Sequence, residues 1–342
     1  MSVYLQSAGT VLPGPPIGIA ALAEKFGLPS VWEQWVESFI DTPTRYYSVD
    51  LDSGGLRHSL ADLATTAADR ALMAAGAAPS DVDLLVMGTS SPDMLMPATV
   101  NVVADRLGID DVATYQLQSG CAGAVQALDV ARRLLGSGEH RTALVIGADS
   151  CAKHLDLSVD VGSMPPDEQV NGVLFGDGAG AAVLGTEPGP LGIELLRTRV
   201  RCVGRGREPG QTLNWFGGAD RHVDRPAAVE DYKAVQDAVP PLAVEVLDEM
   251  LNALDWERSE VDYVLPPQLS GRMTDAIHIR LDVPDAQEVS CVRETGNTGN
   301  ALPFFQLERL LPRMIVGDRA VGVAIESSKW IKAGYALEKV GL

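Results

Sequence analysis

The stretch SGCAGAVQALDVARRLL at residues 119–135 decides the fold, because TGNTGNALPFFQLERLL at residues 295–311 repeats its pattern. Aligning the two places Cys121 opposite Asn297, an offset of 176 positions (297 − 121). Each stretch has a glycine-rich start followed by apolar residues at helical spacing. Such self-similarity indicates that the chain is built from two duplicated halves.

Two further pairs of segments follow the same order at nearly the same offset. DVDLLVMGTS at residues 81–90 resembles EVDYVLPPQL at 260–269, and HRTALVIGADS at 140–150 resembles DRAVGVAIESS at 318–328. Their offsets are 179 (262 − 83) and 178 (319 − 141). Three ordered matches at one spacing indicate a true repeat.

Each half is predicted to contain a helix, an apolar strand, a glycine-rich turn that opens a second helix, and another strand. We place the N-terminal half at residues 1–187 and the C-terminal half at 188–342. The strands are continuously apolar, as in sheets covered by helices on both faces, and this predicts the α/β class. They are LLVMG (84–88), ALVIGA (143–148), YVLP (263–266) and VGVAI (321–325).

Composition excludes several classes of function. The chain has 342 residues, of which 46% are hydrophobic, with a net charge of −19. This acidity argues against nucleic acid and anionic membranes as partners. No apolar run is long enough to span a membrane and no basic start precedes an apolar block, so we expect a cytoplasmic protein. An acidic carrier protein would need a local basic patch, for which Arg272 and Arg280 are candidates, although solvated helix arginines are an equal alternative.

Cys121 is the candidate nucleophile. The four cysteines are widely spaced without a Cys-x-x-Cys pair, so neither a metal site nor a disulfide framework is predicted, and no cofactor site is predicted either. Cys121 lies between Gly120 and Ala122-Gly123 at a helix start, where the helix dipole favours the thiolate and free N–H groups can stabilise an oxyanion. The alternative is that it is a small buried hydrophobic residue.

Three motifs carry a family resemblance. SGCAGAV around Cys121, FGDGAGAAVLG (175–185) and GNTGNA (296–301) together resemble β-ketoacyl-ACP synthase III and its relatives in the thiolase superfamily. The resemblance implies a five-layered αβαβα fold, a homodimer and a pantetheine tunnel that ends at the cysteine. A dinucleotide loop is rejected for FGDGAG because it opens onto a strand-like segment and lacks the full GxGxxG spacing.

The family pattern breaks at one catalytic position. The resemblance implies a Cys, His and Asn set, which Cys121 and Asn297 match, but Pro267 stands where the histidine is expected. Proline offers no side-chain donor, acceptor or charge. Losing one donor to an enolate typically costs about 10²–10³ in rate. None of the five histidines, His58, His140, His154, His222 and His278, is assigned as a replacement base.

The resemblance also implies substrate contacts. Met96 before Pro97 matches the residue that a partner subunit contributes to the tunnel floor, and Trp32 matches a position at the tunnel mouth, with a core role as the alternative. Residues 153–170 have no counterpart in the second half and are expected to form a loop that lines the site. The family's C-terminal glycine-rich segment is replaced by residues 326–330, ESSKW, which changes the expected oxyanion geometry.

The predicted activity is acyl transfer without decarboxylation. An acyl group from an acyl carrier protein or coenzyme A would form a thioester on Cys121 and pass to a small-molecule hydroxyl, an amine or a carrier thiol. The setting would be polyketide or other secondary metabolism. The alternatives are a decarboxylative condensing enzyme that works without the histidine, and a non-catalytic partner subunit.

Overall fold

A computed structural model of the chain describes residues 1–155, 157–215, 220, 222–223 and 228–341, without the side chains at 167 and 171. Within these ranges the helices are α1 Ile19–Phe26, α2 Ser30–Ile40, α3 Leu60–Ala75, α4 Thr99–Leu107, α5 Gly123–Ser137, α6 Pro166–Leu174, α7 Tyr232–Leu254, α8 Gly271–Leu281, α9 Val292–Thr295 and α10 Leu302–Leu310. None of these described helices has the length and apolar character needed to cross a membrane.

The strands are β1 Tyr4–Val11, β2 Ile17–Gly18, β3 Thr44–Arg45, β4 Leu84–Gly88, β5 Ala113–Leu117, β6 Thr142–Asp149, β7 Gly178–Gly185, β8 Ile193–Cys202, β9 Gln211–Leu213, β10 Ala228–Glu230, β11 Tyr263–Leu265, β12 Gln287–Glu288, β13 Arg319–Glu326 and β14 Ile331–Lys339. The main sheet runs β12-β11-β13-β14-β8-β1-β7-β6-β4-β5. The order is the same when the sheet is followed inward from either end. One half then reads β5-β4-β6-β7-β1 and the other reads β12-β11-β13-β14-β8. The strand order therefore repeats as the duplication predicts, while the boundary at residue 187 stays a prediction.

Helices cover both faces of each half-sheet. Helices α3 and α4 pack outside the N-terminal strands, and α7 and α8 pack outside the C-terminal ones. Helices α5 and α10 lie between the two half-sheets, where their apolar faces share one core. Gly88 in β4 permits this closeness, since a Cβ there would overlap the backbone of Gly123 at the start of α5. The result is the predicted five-layered αβαβα arrangement.

The two half-repeats superpose in a register that differs from the sequence alignment. The 3₁₀ turn Gly120–Ala122 opens α5, and the turn Gly299–Ala301 opens α10. Gly120 and Gly299 both have positive φ, 50° and 55°. Cys121 therefore corresponds to Asn300, an offset of 179, and the predicted pairing of Cys121 with Asn297 is wrong by three residues.

Most predicted elements are confirmed and one is corrected. The four predicted apolar strands lie in β4, β6, β11 and β13, although YVLP ends one residue early, at Leu265. FGDGAG does open onto a strand, β7, which supports rejecting the dinucleotide loop. The segment 153–170 is not simply a loop, because α6 begins inside it at Pro166. Its partly apolar sequence packs Val170 into a core cluster with α1 and α2.

Candidate active site

Cys121 lies on the turn between β5 and α5. Cys121 is half-buried. Gly120, the residue before it, has a left-handed backbone conformation. Glycine adopts that conformation without the penalty that a Cβ brings. A Cβ at Gly120 would also overlap the carboxyl group of Glu326. The glycine before the nucleophile therefore makes room for an acidic side chain from the other half of the molecule.

Glu326 binds the backbone of the nucleophile. It is the last residue of β13 and is buried. Its Oε2 accepts a hydrogen bond from the N–H of Cys121, and its Oε1 accepts one from the N–H of Ser328 at 2.6 Å. The N–H group that was expected to stabilise an oxyanion is thus already used. Within residues 326–330, it is Glu326 that contacts the turn carrying the nucleophile.

The structure also corrects the expected protonation of Cys121. A helix start was expected to favour the thiolate, but burial, followed by the charges of Glu326 and Asp149, raises the pKa of this thiol well above its ordinary value. The short helix-start effect, which is about 1 kcal/mol at exposed positions, does not offset desolvation beside two carboxyl groups. Cys121 in this state is a thiol, and acylation requires that its proton be removed.

Asp149 occupies the equivalent position in the other half. It ends β6 as Glu326 ends β13, and it accepts hydrogen bonds from the N–H groups of Asn300 at 2.9 Å and Ser90 at 2.7 Å. Burial raises the pKa of its carboxyl group. Asn300 in turn accepts a hydrogen bond from the N–H of Ala124 at 2.8 Å, which ties the two turns together. The two helix starts are therefore held by a matched pair of acidic residues.

One cavity of about 550 Å³, partly open to solvent, connects the predicted catalytic positions. Cys121, Asn297 and Pro267 all line it, so the structure brings together the two predicted catalytic residues and the departure from the family pattern. The cavity's other lining residues are mostly apolar: Phe175, Val235, Val239, Pro266, Leu269, Leu302, Pro303, Val323, Ala324 and Ile325.

Asn297 is fixed by its neighbours. Its backbone carbonyl accepts a hydrogen bond from the N–H of Gly176 at 2.9 Å, and its N–H donates to Leu174. Its Oδ1 accepts a hydrogen bond from the N–H of Gly299 at 3.1 Å. The side-chain amide is consequently oriented with its oxygen towards the turn, which leaves its N–H₂ as the chemically useful end for a substrate oxygen.

The wall at Pro267 carries no proton-transferring group of its own. The neighbouring Gln268 is committed to structure, because its Oε1 accepts hydrogen bonds from the N–H groups of Cys291 and Val292, each at 2.8 Å. Among the described residues that line the cavity there is no histidine. The loop histidine His154 packs against Trp215, and burial lowers its pKa to about 4.

Glu230 is an acidic group in the cavity wall that sequence reasoning missed. It ends β10, opposite Gln211 of β9, and both residues line the cavity. The residue is half-buried overall, while its Oε2 is buried. Burial and then the charge of Glu326 raise the pKa of Glu230 to about 8. A carboxyl group of this kind titrates near neutral pH, where ordinary glutamates do not.

The three predicted substrate contacts differ in outcome. Met96 is 84% exposed, as a residue offered to a second subunit would be. Trp32 is 7% exposed and its indole N–H donates to Gln169 at 2.7 Å, so it belongs to the core and does not present a stacking face. This placement contradicts the substrate contact and supports the core alternative. Arg272 is exposed on α8, where its Nε donates to the carbonyl of Ser38 at 2.6 Å, and its role stays a prediction.

Comparison with known proteins identifies the family of the chain. Residues 115–204 match the 3-oxoacyl-[acyl-carrier-protein] synthase III family model, and residues 251–326 match its C-terminal domain. The chain is 32% identical to a β-ketoacyl-[acyl-carrier-protein] synthase III of Rhizorhabdus wittichii over 295 residues, which cover 86% of this chain and 85% of that protein. The chain belongs to the synthase III family.

Solved structures give the same family and one more specific likeness. The fold resembles synthase III from Pseudomonas aeruginosa with a TM-score of 0.83 at 25% identity, covering 100% of this chain and 99% of that one. It resembles AbyA1, described as a tetronic acid condensing enzyme, with a TM-score of 0.95 at 58% identity, covering 98% and 99%. The chain is thus an enzyme of the synthase III family, whose members are of the condensing or acyl-transferring type.

Proposed function

We propose that this synthase III-like chain loads an acyl group onto Cys121 and transfers it, without decarboxylation, to an acceptor in the making of a tetronic acid ring. The observation that carries the proposal is Pro267, in the wall of the cavity that Cys121 and Asn297 also line. A wall without a donor at that position weakens the stabilisation of an enolate formed from malonyl thioester. It leaves thioester exchange at Cys121 possible.

A tetronic acid ring can be assembled from an acceptor that does not lose carbon dioxide. The ring is a five-membered lactone with a second, enolised carbonyl group, so its assembly from two acyl thioesters requires one C–C bond and one ester C–O bond. The methylene of a β-ketoacyl thioester is already acidic between two carbonyl groups. It can attack an acyl-Cys121 thioester directly, and carbon dioxide need not leave.

The bonds balance when the loaded group is a 2-hydroxyacyl unit. The acceptor carbon attacks the thioester carbonyl, the C–S bond to Cys121 breaks, and the thiol is regenerated. The 2-hydroxyl then attacks the acceptor's own thioester, closing the lactone and releasing the second thiol. The first step makes the chain a C-acyltransferase, with a carbon acceptor in place of the hydroxyl, amine or carrier thiol predicted from the sequence. The second step is an intramolecular ring closure that does not involve Cys121.

The donor and acceptor are proposed to arrive on acyl carrier protein or coenzyme A, as is usual in the synthase III family, and the working unit is proposed to be a homodimer. Exposed Met96 fits that assembly, because Met94 and Leu95 beside it are exposed as well, and contiguous exposed apolar surface is typical of interaction sites. The second candidate is ordinary decarboxylative condensation, which the family membership favours and Pro267 disfavours.

Acyl loading is tested by intact-protein mass spectrometry after incubation with lactoyl-pantetheine and, separately, with acetyl-CoA. The expected result is one added acyl group in the unmodified protein and none in Cys121→Ala. Cys202→Ser is the matched control, because Cys202 is an exposed thiol far along the chain, and it should load normally. Label that persists in Cys121→Ala would refute the proposed intermediate.

A further inference from the structure

The described lining of the cavity holds no histidine but contains a carboxyl group that the family pattern does not supply. Glu230 lines the cavity together with Cys121, Pro267 and Asn297. It is brought there by the β9–β10 hairpin, whose register sets Glu230 opposite Gln211. Cross-strand partners share one face of a hairpin, so both side chains point into the same space.

From this arrangement we infer that Glu230 is the catalytic base that takes the proton from the acceptor's acidic methylene when the acyl group leaves Cys121. The inference rests on the proposed function, since it concerns the second half of that reaction. The required chemistry is removal of one proton beside the acyl thioester, and a cavity-wall carboxylate is the group that can do this in the described lining.

The step balances in protons and bonds. Glu230 takes the methylene proton, the resulting enolate carbon attacks the thioester carbonyl, and a C–C bond forms. The C–S bond breaks and the Cys121 thiolate leaves. The proton on Glu230 then returns to this thiolate, which is the preferred proton acceptor because burial and neighbouring carboxylates raise the pKa of Cys121 well above its ordinary value. No oxidant, reductant or further reactant is needed.

The charges around Glu230 explain why it suits the role. Among the described residues, the titratable groups that interact with it include Glu326 from β13, Cys121 from the turn before α5, Cys151 from the segment after β6, and Tyr232 at the start of α7. Burial and the charge of Glu326 raise the pKa of Glu230 to about 8. A base is most effective when its pKa lies near the working pH, because it is then both partly ionised and basic enough to accept the proton.

Glu326 is a poorer candidate for the same step. Both of its carboxyl oxygens already accept backbone N–H groups, from Cys121 and Ser328. It does not line the cavity, whereas Glu230 does. We therefore assign Glu326 to positioning the nucleophile and Glu230 to removing the proton from the acceptor.

The test separates the two half-reactions. The enzyme is first loaded on Cys121 with lactoyl-pantetheine, freed of excess donor, and mixed with acetoacetyl-N-acetylcysteamine; decay of the acyl-enzyme mass gives the single-turnover transfer rate. In this loaded state the thiol is capped and does not titrate. The variants are Glu230→Gln and the control Glu139→Gln, which removes the same charge at an exposed position distant in sequence from the hairpin.

Glu230→Gln should load to the same extent as the unmodified protein and transfer about 100-fold more slowly, within the range of general base catalysis. The unmodified transfer rate should rise about tenfold per pH unit below pH 8 and level off above it. Glu230→Gln should lose that rise, and Glu139→Gln should keep both rate and profile.

Several results overturn the assignment. The first is a transfer rate in Glu230→Gln within about twofold of the unmodified rate, and the second is failure of the variant to load. The others concern the pH profile of the transfer rate: a step that persists in the variant, or no step near pH 8 in the unmodified protein. Failure of the unmodified protein to load at all is a different result, because it refutes the proposed function and not the choice of base.

Discussion

Gly120 and Glu326 should be energetically coupled, and Gly120→Ala is the perturbation that measures it. Alanine in a left-handed conformation costs about 1–2 kcal/mol. The added Cβ must also displace the Glu326 carboxyl, which holds the N–H groups of Cys121 and Ser328. A hydrogen bond to a charged group contributes about 1.5–3 kcal/mol. Losing even one bond brings the expected total to about 2.5 kcal/mol or more.

A matched control isolates the backbone contribution. Gly108, the residue after α4, has φ of 68°, and a Cβ there would meet nothing within 4 Å. Gly108→Ala should therefore lower the free energy of unfolding by only about 1–2 kcal/mol. In a Glu326→Ala background, Gly120→Ala should likewise fall to that value, because the displaced bonds are already absent. Urea unfolding of the four variants gives these free energies. Equal costs for Gly120→Ala in both backgrounds would refute the proposed packing of Glu326 against the nucleophile turn.

Three further outcomes are expected. Asn297→Ala should slow transfer from loaded enzyme about 10²–10³-fold with little loss of loading, measured by single-turnover mass spectrometry, since it removes one donor to the acceptor's enolate, which forms only in the transfer step. Asp149→Ala should lower the free energy of unfolding by about 3 kcal/mol or more, because buried N–H groups of Asn300 and Ser90 lose their acceptor; a cost below 1 kcal/mol would contradict this. The pKa of Glu230 is raised from 4.5 to about 8, so its stabilising contribution is complete below pH 4.5 and disappears as pH rises through 8. Urea unfolding should therefore show Glu230→Gln gaining stability relative to the unmodified protein across that window, and a constant difference would contradict the shift.

The layers were predictable because burial on both faces leaves a clear trace in sequence. Strands β4, β6 and β13 are unbroken apolar runs in the sequence. The glycine-rich turns before α5 and α10 indicate that backbones approach each other closely there. The register of the second turn was not predictable. TGN occurs twice in a row there, at residues 295–297 and 298–300, and each copy aligns plausibly with SGC. The fold selects the second copy, because the 3₁₀ turn that begins at Gly299, with its positive φ, matches the turn that begins at Gly120.

The acidic part of the site was harder to predict for a different reason. Glu326 contacts a residue 205 positions earlier in the chain. Glu326 and Asp149 both end an apolar strand of the repeat. The residues around Cys121 nevertheless give no sign that a carboxyl group from the other half reaches its helix start. Glu230 ends a three-residue strand outside every motif, so its entry into the cavity depends on the β9–β10 hairpin alone.

The central claim is that acyl-Cys121 reacts with an already acidic carbon and does not require decarboxylation. It is tested by offering lactoyl-loaded enzyme equal concentrations of acetoacetyl- and malonyl-N-acetylcysteamine, and measuring both the acyl tetronic acid and released carbon dioxide. Tetronic acid is expected as the main product, with carbon dioxide at the level of the Cys121→Ala background. Rapid carbon dioxide release with a β-ketoacyl product from the unmodified protein would contradict it and establish ordinary condensation despite Pro267.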